Sequence, residues 1–186
     1  MIAALAPITI LGGLLMLGAG VAHLALFAGY FGRRTRVLDP GLGFVLAALV
    51  AYAATLTLGA FLLAVRPGPG RLWAVYGTLA LLGWLTLFIV GVMHRVVPRI
   101  LTLIRVRKGG RPTPLAQRVE LVSEPLGWAS LAGMAGGTAG VALSTGLGWE
   151  EGLRLAAGVL AAGTVLLIGQ GARVAALALR SRHARP

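Results

Sequence analysis

The sequence predicts an all-α integral membrane bundle of five transmembrane helices, with the N-terminus outside and the C-terminus in the cytoplasm. Of its 186 residues, 58% are apolar and 12% are charged, and the mean hydropathy is +0.88. Soluble domains carry about 45–50% apolar and about 25% charged residues, so this composition excludes a water-soluble enzyme. The net charge of +12 is distributed between long uncharged stretches. We therefore expect the basic residues to lie beside a lipid bilayer, and we expect no nucleic-acid partner.

Five stretches are apolar enough, and long enough, to cross a hydrocarbon core that needs about 20 helical residues. They are residues 8–31, 42–65, 72–104, 126–149 and 155–179. Backbone in lipid must satisfy its own hydrogen bonds, so each stretch is predicted to be a helix. The first stretch ends at Arg33, and the second begins after Asp39-Pro40 and ends before Arg66-Pro67. The first stretch also lacks the basic n-region of a signal peptide, so we expect it to be retained.

The distribution of basic residues predicts the orientation of the five spans. Fourteen Arg and Lys residues fall in or beside the loop after span one, the loop after span three and the C-terminal segment, against three on the other side (Arg66, Arg71 and Arg154). This asymmetry is typical of the cytoplasmic side of a membrane protein. We expect a multi-pass protein of a bacterial cytoplasmic (inner) membrane.

Residues 105–125 form the longest segment between spans, a basic cytoplasmic loop. Thr113-Pro114 has the pattern of a helix start, and Leu115, Val119 and Val122 would share one face of a short helix. One hypothesis is an interfacial helix that docks a partner or anionic lipid. The alternative, which we favour, is an ordinary basic loop.

Spans four and five are rich in small residues. Gly133, Gly137 and Gly140 are prominent in span four, and span five carries further glycines among alanines. Small residues allow helix backbones to approach closely in lipid. Two interpretations stay open: tight packing within the chain, or a face that docks other membrane subunits through Gly133, Gly137 and Gly140.

Two histidines, His23 in span one and His94 in span three, are the strongest candidates for chemistry. Ionisable groups within a membrane are costly and often functional. The spans contain no carboxylate, which disfavours a proton relay or cation site, and two imidazoles suit axial ligation of a haem iron. We predict His23 and His94 as haem b ligands, with Arg95 or Arg99 pairing a propionate. The alternative is that His23 bonds a backbone carbonyl and His94 lies among lipid headgroups.

The segment from Tyr76 to Leu101 resembles a span of haem–copper oxidase subunit I and its short membrane relatives. The resemblance rests on Gly83, Trp84, Gly91, Pro98 and Arg99. Tyr76 and Thr78 stand where those relatives carry His-x-His, so the resemblance implies kinship with respiratory membrane proteins more than it implies their metal site.

Two functions from different classes follow. The first is a small membrane subunit of a respiratory electron-transfer system, a b-type cytochrome passing electrons between a quinol and a partner redox protein, with quinone as a candidate ligand. The second is a cofactor-free accessory subunit that packs against a larger respiratory membrane complex. A transporter is disfavoured because no inverted repeat or mid-membrane charge is found.

Overall fold

The computed structural model of the protein describes residues 2–32, 39–65, 70–107 and 123–183, and these residues are almost entirely helical. The elements are α1 (Ile2–Gly32), α2 (Pro40–Ala64), α3 (Gly70–Thr78), a π-helical segment (Leu79–Thr86), α4 (Leu87–Arg107), α5 (Glu124–Leu147) and α6 (Glu150–His183). Because α3, the π-helical segment and α4 follow without a break, we call them together the third span. The predicted interfacial helix after Thr113 lies outside the described residues.

Among the described residues, five helices are long and apolar enough to cross a membrane, which confirms the prediction of an all-α chain with five candidate spans. Their candidate spans are Leu11–Tyr30, Pro40–Ala64, Gly70–Val97, Glu124–Leu147 and Glu150–Val174. The fifth begins five residues before the predicted position, because Gly148 ends α5 in the left-handed conformation (φ 70°) and only Gly148 and Trp149 separate the two helices. Glu150 and Glu151 then occupy the first turn of α6, where their carboxylates interact favourably with the positive end of the helix dipole.

The helices alternate in direction around a central α2. On α2, Gly41 lies against Gly91 while Gly59 lies against Tyr76, so α2 and the third span are antiparallel. Similar pairs make α1 antiparallel to α2, and α5 antiparallel to both the third span and α6. The end of α1, the start of α2, the end of α4, the start of α5 and the end of α6 therefore share one side of the bundle. That shared end is the one predicted to be cytoplasmic.

A small core lies where α2, α4 and α5 meet. Its buried members are Phe44, Ala48, Leu87 and Met134. Asp39 caps α2, since its Oδ1 atom accepts the backbone N–H of Leu42 at 2.7 Å, and Pro40 supplies the fixed φ suited to the first helical position.

The glycines of span four pack against the neighbouring helix of the same chain. A Cβ atom built on Gly133 would lie 2.7 Å from the Cα of Gly163, and one on Gly137 would lie 2.5 Å from the backbone nitrogen of Leu160. One on Gly140 would lie 2.8 Å from the Cβ of Ala156. The structure therefore supports the intrachain interpretation, and this face of α5 is covered by α6 instead of being available to another subunit.

Burial is uneven across the bundle. The buried share of the membrane-spanning part is 6% for α1 and 17% for α6, against 22% for the third span, 28% for α2 and 33% for α5. Helices α1 and α6 therefore flank the bundle and present most of their surface to its surroundings.

Candidate functional site

The ring of His23 lies in the contact between α1 and α2. It is 4.8 Å from the ring of Phe27, one turn along α1, and 5.8 Å from the ring of Tyr52 in an edge-on arrangement (centroid distances). Gly20 makes the approach possible, because a Cβ atom there would lie 2.9 Å from the Tyr52 hydroxyl oxygen. No hydrogen bond to the His23 ring is found among the described residues.

Four aromatic side chains extend from His23 toward the third span. Tyr52 stacks on Trp84 with centroids 4.5 Å apart and planes 27° apart, and Phe27 meets Phe88 edge-on at 6.5 Å. We call His23, Phe27, Tyr52, Trp84 and Phe88 the aromatic cluster. It joins α1, α2 and the third span, and it was not predicted beyond His23 itself.

Trp84 belongs to the π-helical segment. In this segment the Thr86 hydroxyl donates to the carbonyl of Leu81, five residues earlier, at 2.8 Å. Gly83 faces α2 so closely that a Cβ atom would lie 2.7 Å from the Cβ of Ala51. Short π-helical segments are rare and occur frequently at functional sites. This one places Gly83 and Trp84, two of the residues that carry the oxidase resemblance, against α2.

His94 belongs to a different polar group nearer the shared end. Its Nδ1 atom is 3.0 Å from the carbonyl oxygen of Val90, and its Nε2 atom is 3.4 Å from Oε1 of Gln170 on α6. The Gln170 side chain, only 4% exposed, donates from Nε2 to the carbonyl oxygen of Ser123 at 3.1 Å. We call His94, Gln170 and Ser123 the polar clasp, because it joins α4, α6 and the start of α5.

The ring of Phe44 completes the surroundings of His94. It stacks on the imidazole with centroids 5.2 Å apart and planes 30° apart. On the other side, a Cβ atom on Gly41 would lie 3.0 Å from the Cβ of His94. The imidazole is thus held by packing against α2 and by a hydrogen bond from its N–H, because a neutral ring has one N–H and the Val90 and Gln170 oxygens are both acceptors.

The two predicted propionate partners have different surroundings. Arg95 forms an ion pair with Asp39 (Nη2–Oδ2 2.9 Å), with side chains 32% and 53% exposed, so this pair contributes little to stability on its own. Arg99 is exposed on α4, one turn further toward the shared end. Sequence reasoning did not anticipate the pairing of Arg95 with Asp39, which lies 56 residues away in the chain.

The structure places His23 and His94 at different levels. His23 is level with Tyr52 and His94 with Phe44, and these α2 residues are eight positions apart, which is about 12 Å along a helix. Two axial ligands of one iron must face each other across a single porphyrin plane. In this arrangement the two histidines do not fit one haem iron, and a shared haem requires both to leave their present contacts. No group of three or more His, Cys, Asp or Glu side chains suited to a metal ion is found within the part of the chain that the structure describes.

Comparison with protein-family models, with curated proteins and with solved structures finds no match. The features of the molecule that bear on its function are therefore the aromatic cluster, the polar clasp and the uneven burial of the helices.

Proposed function

We propose that the protein is a small, multi-pass accessory subunit that packs beside a larger respiratory electron-transfer complex and carries no cofactor of its own. The observation that carries this proposal is the uneven burial of the bundle. Outer helices of any membrane bundle face lipid, and α1, the least buried of the spans, leaves the most surface on which a neighbouring subunit can pack. A chain that fills a position between larger subunits presents such helices to its neighbours.

The outer faces of α1 and α6 support the proposal through their shape and composition. Both combine large apolar side chains with uncovered glycines, at which a Cβ atom would meet nothing within 4 Å (Gly12, Gly18 and Gly29 on α1, and Gly158, Gly169 and Gly171 on α6). In lipid, small residues allow close helix approach, and helix association depends on such packing. The respiratory assignment is supported by the resemblance of the third span, whose Gly83 and Gly91 both lie against α2.

Site-specific photo-crosslinking in native membranes tests this proposal. A photoreactive residue replaces Leu15 on α1 or Val165 on α6, which are 66% and 67% exposed, and Leu81 on the third span, 61% exposed, serves as the matched control. We expect Leu15 and Val165 to capture the same membrane subunits and Leu81 to capture none. The captured assembly must contain a redox cofactor that is visible in its absorption spectrum. Equal labelling from all three positions, or capture of subunits without a redox cofactor, contradicts the proposal.

A second candidate is the b-type cytochrome, and the accessible imidazole of His23 favours it. This ring has no hydrogen-bond partner among the described residues and is half-buried, so a porphyrin could reach it from the lipid side. Such a protein would show a Soret band that shifts on reduction with dithionite. His23→Ala should abolish the band, whereas a colourless wild-type preparation would remove this candidate.

A further inference from the structure

We propose that the aromatic cluster binds the head ring of a lipid-soluble quinone, held by hydrogen bonds from His23 and Tyr52. This inference is independent of the accessory role above, since a quinone would bind whether or not the chain joins a larger complex.

The aromatic cluster lies near the middle of the membrane-spanning helices. Tyr52 is the central residue of α2, 12 positions from both Pro40 and Ala64. Trp84 is equally central in its candidate span, 14 positions from Gly70 and 13 from Val97. Tyrosine and tryptophan normally anchor membrane proteins at the two interfaces. The other three tryptophans follow that rule, because Trp73, Trp128 and Trp149 all lie near helix ends.

The polar atoms of the cluster lack hydrogen bonds. Threonine hydroxyls can bond back to their own helices, as those of Thr55, Thr78 and Thr164 do at 2.8–2.9 Å, although the buried Thr138 hydroxyl has no partner among the described residues. A tyrosine hydroxyl lies too far from its own backbone for such a bond, and the described residues offer no hydrogen bond to the Tyr52 hydroxyl or to the His23 ring. Polar groups at this depth have no water to bond, which makes an external hydrogen-bond partner favourable.

The polar and aromatic groups of the cluster suit a flat ring that carries carbonyl oxygens. An imidazole N–H and a phenol O–H both donate to carbonyl oxygens. The rings of Phe27 and Tyr52, which flank the imidazole, suit a flat ring that stacks or meets them edge-on. A quinone combines carbonyl acceptors, a planar ring and solubility in the bilayer interior. Charged lipid headgroups are not soluble in the bilayer interior and lie at the membrane surface.

The cluster is accessible from the bilayer. Only 6% of the membrane-spanning part of α1 is buried, and His23 is partly exposed on it. Val21 and Leu26 beside it are 58% and 73% exposed, so the approach to the imidazole passes along apolar side chains. A quinone dissolved in lipid therefore reaches the cluster from the side, without crossing the bundle.

Fluorescence quenching in quinone-free nanodiscs tests the proposal with the full chain. Replacing Trp73, Trp128 and Trp149 by Phe leaves Trp84, which stacks on Tyr52, as the single reporter. Decylubiquinone is the probe, and decylbenzene, which lacks carbonyl groups, is the control ligand. We expect saturable quenching by the quinone and none by decylbenzene.

Matched variants then test the two donors. Tyr52→Phe removes one hydroxyl and should raise the apparent Kd for decylubiquinone at least tenfold. Tyr76→Phe should change this Kd less than twofold. His23→Gln and His94→Gln form the second pair of variants, and we expect a loss of quinone affinity in His23→Gln alone. Quenching that rises linearly with quinone in the bilayer, or that is equal in Tyr52→Phe and Tyr76→Phe, overturns the proposal. Tyr52→Phe keeps the ring, so thermal melts should match wild type and a change in affinity cannot be ascribed to misfolding.

Discussion

Two helix pairs in this bundle achieve contact in opposite ways. In the α5–α6 pair, backbone meets backbone: a Cβ atom on Gly133 would lie 2.7 Å from the Cα of Gly163. In the α1–α2 pair, backbone meets flexible side chains: a Cβ atom on Gly13 would lie 2.6 Å from a terminal methyl carbon of Leu63. The two distances are nearly equal, but the first neighbour cannot move without moving its helix. We infer that α5 and α6 move as a rigid unit, whereas the position of α1 along α2 can adjust through side-chain rotamers.

The largest effect is expected from breaking the α5–α6 contact outright. Gly137→Leu would drive a large side chain into the backbone of Leu160, and we expect the free energy of unfolding to fall by about 3 kcal/mol or more, the upper end for overpacking. Denaturation by SDS in mixed micelles, followed by circular dichroism, measures this change. Gly136→Leu is the control, because a Cβ atom there meets nothing within 4 Å. Similar losses in the two variants would show that the pair is not rigid.

The same Gly→Ala substitution should have different effects in the two helix pairs. Gly133→Ala should cost about 1–3 kcal/mol, because a methyl group must separate two backbones. Gly13→Ala should cost less than about 1 kcal/mol, because the Leu63 side chain can adopt another rotamer. Thermal unfolding of both variants in the same detergent provides the measurement. Equal destabilisation, or a larger effect at Gly13, would contradict the distinction between the two pairs.

A smaller effect is expected where a polar side chain fixes the start of α2. Asp39→Ala removes both the helix cap and the ion pair with Arg95, and it should cost about 1 kcal/mol, the usual value of a cap. Asp39→Asn keeps the cap and removes the charge, so it should recover most of that loss. If Asp39→Asn is as destabilising as Asp39→Ala in chemical unfolding, the ion pair outweighs the cap.

The smallest effect concerns the polar clasp, which attaches the far half of α6 to α4. Gln170→Leu should cost about 0.6 kcal/mol, the average for interhelical hydrogen bonds in membranes. Hydrogen–deuterium exchange should increase in α6 after Val165, while the α5–α6 glycine contact stays protected. Gly169→Ala, at a position with nothing within 4 Å, should leave exchange unchanged. Faster exchange throughout both helices would mean that the clasp holds the whole pair together.

The sequence alone determined the class, the number of spans and their alternation. The stretch from residue 126 to 149 illustrates why, because its length and lack of charge leave a membrane helix as the only structure that satisfies its backbone. Composition also marked Gly133, Gly137 and Gly140 as contact positions, since small residues are typical of such contacts in lipid. Which helix they would contact depends on the arrangement of helices, and sequence reasoning left that open.

Which side chains meet across the bundle depends on how the helices pack, and this could not be predicted from the sequence. His23 and His94 suggested one site because both are imidazoles, but the packing of α2 places one beside Tyr52 and the other beside Phe44. Gln170 reaches His94 across 76 positions of sequence. Hydropathy specifies that a helix crosses the membrane, but an apolar circumference does not specify its rotation or its neighbours. Those are decided by close packing at a few glycines, and it is this packing that places His23 with Tyr52 in the aromatic cluster and His94 with Gln170 in the polar clasp.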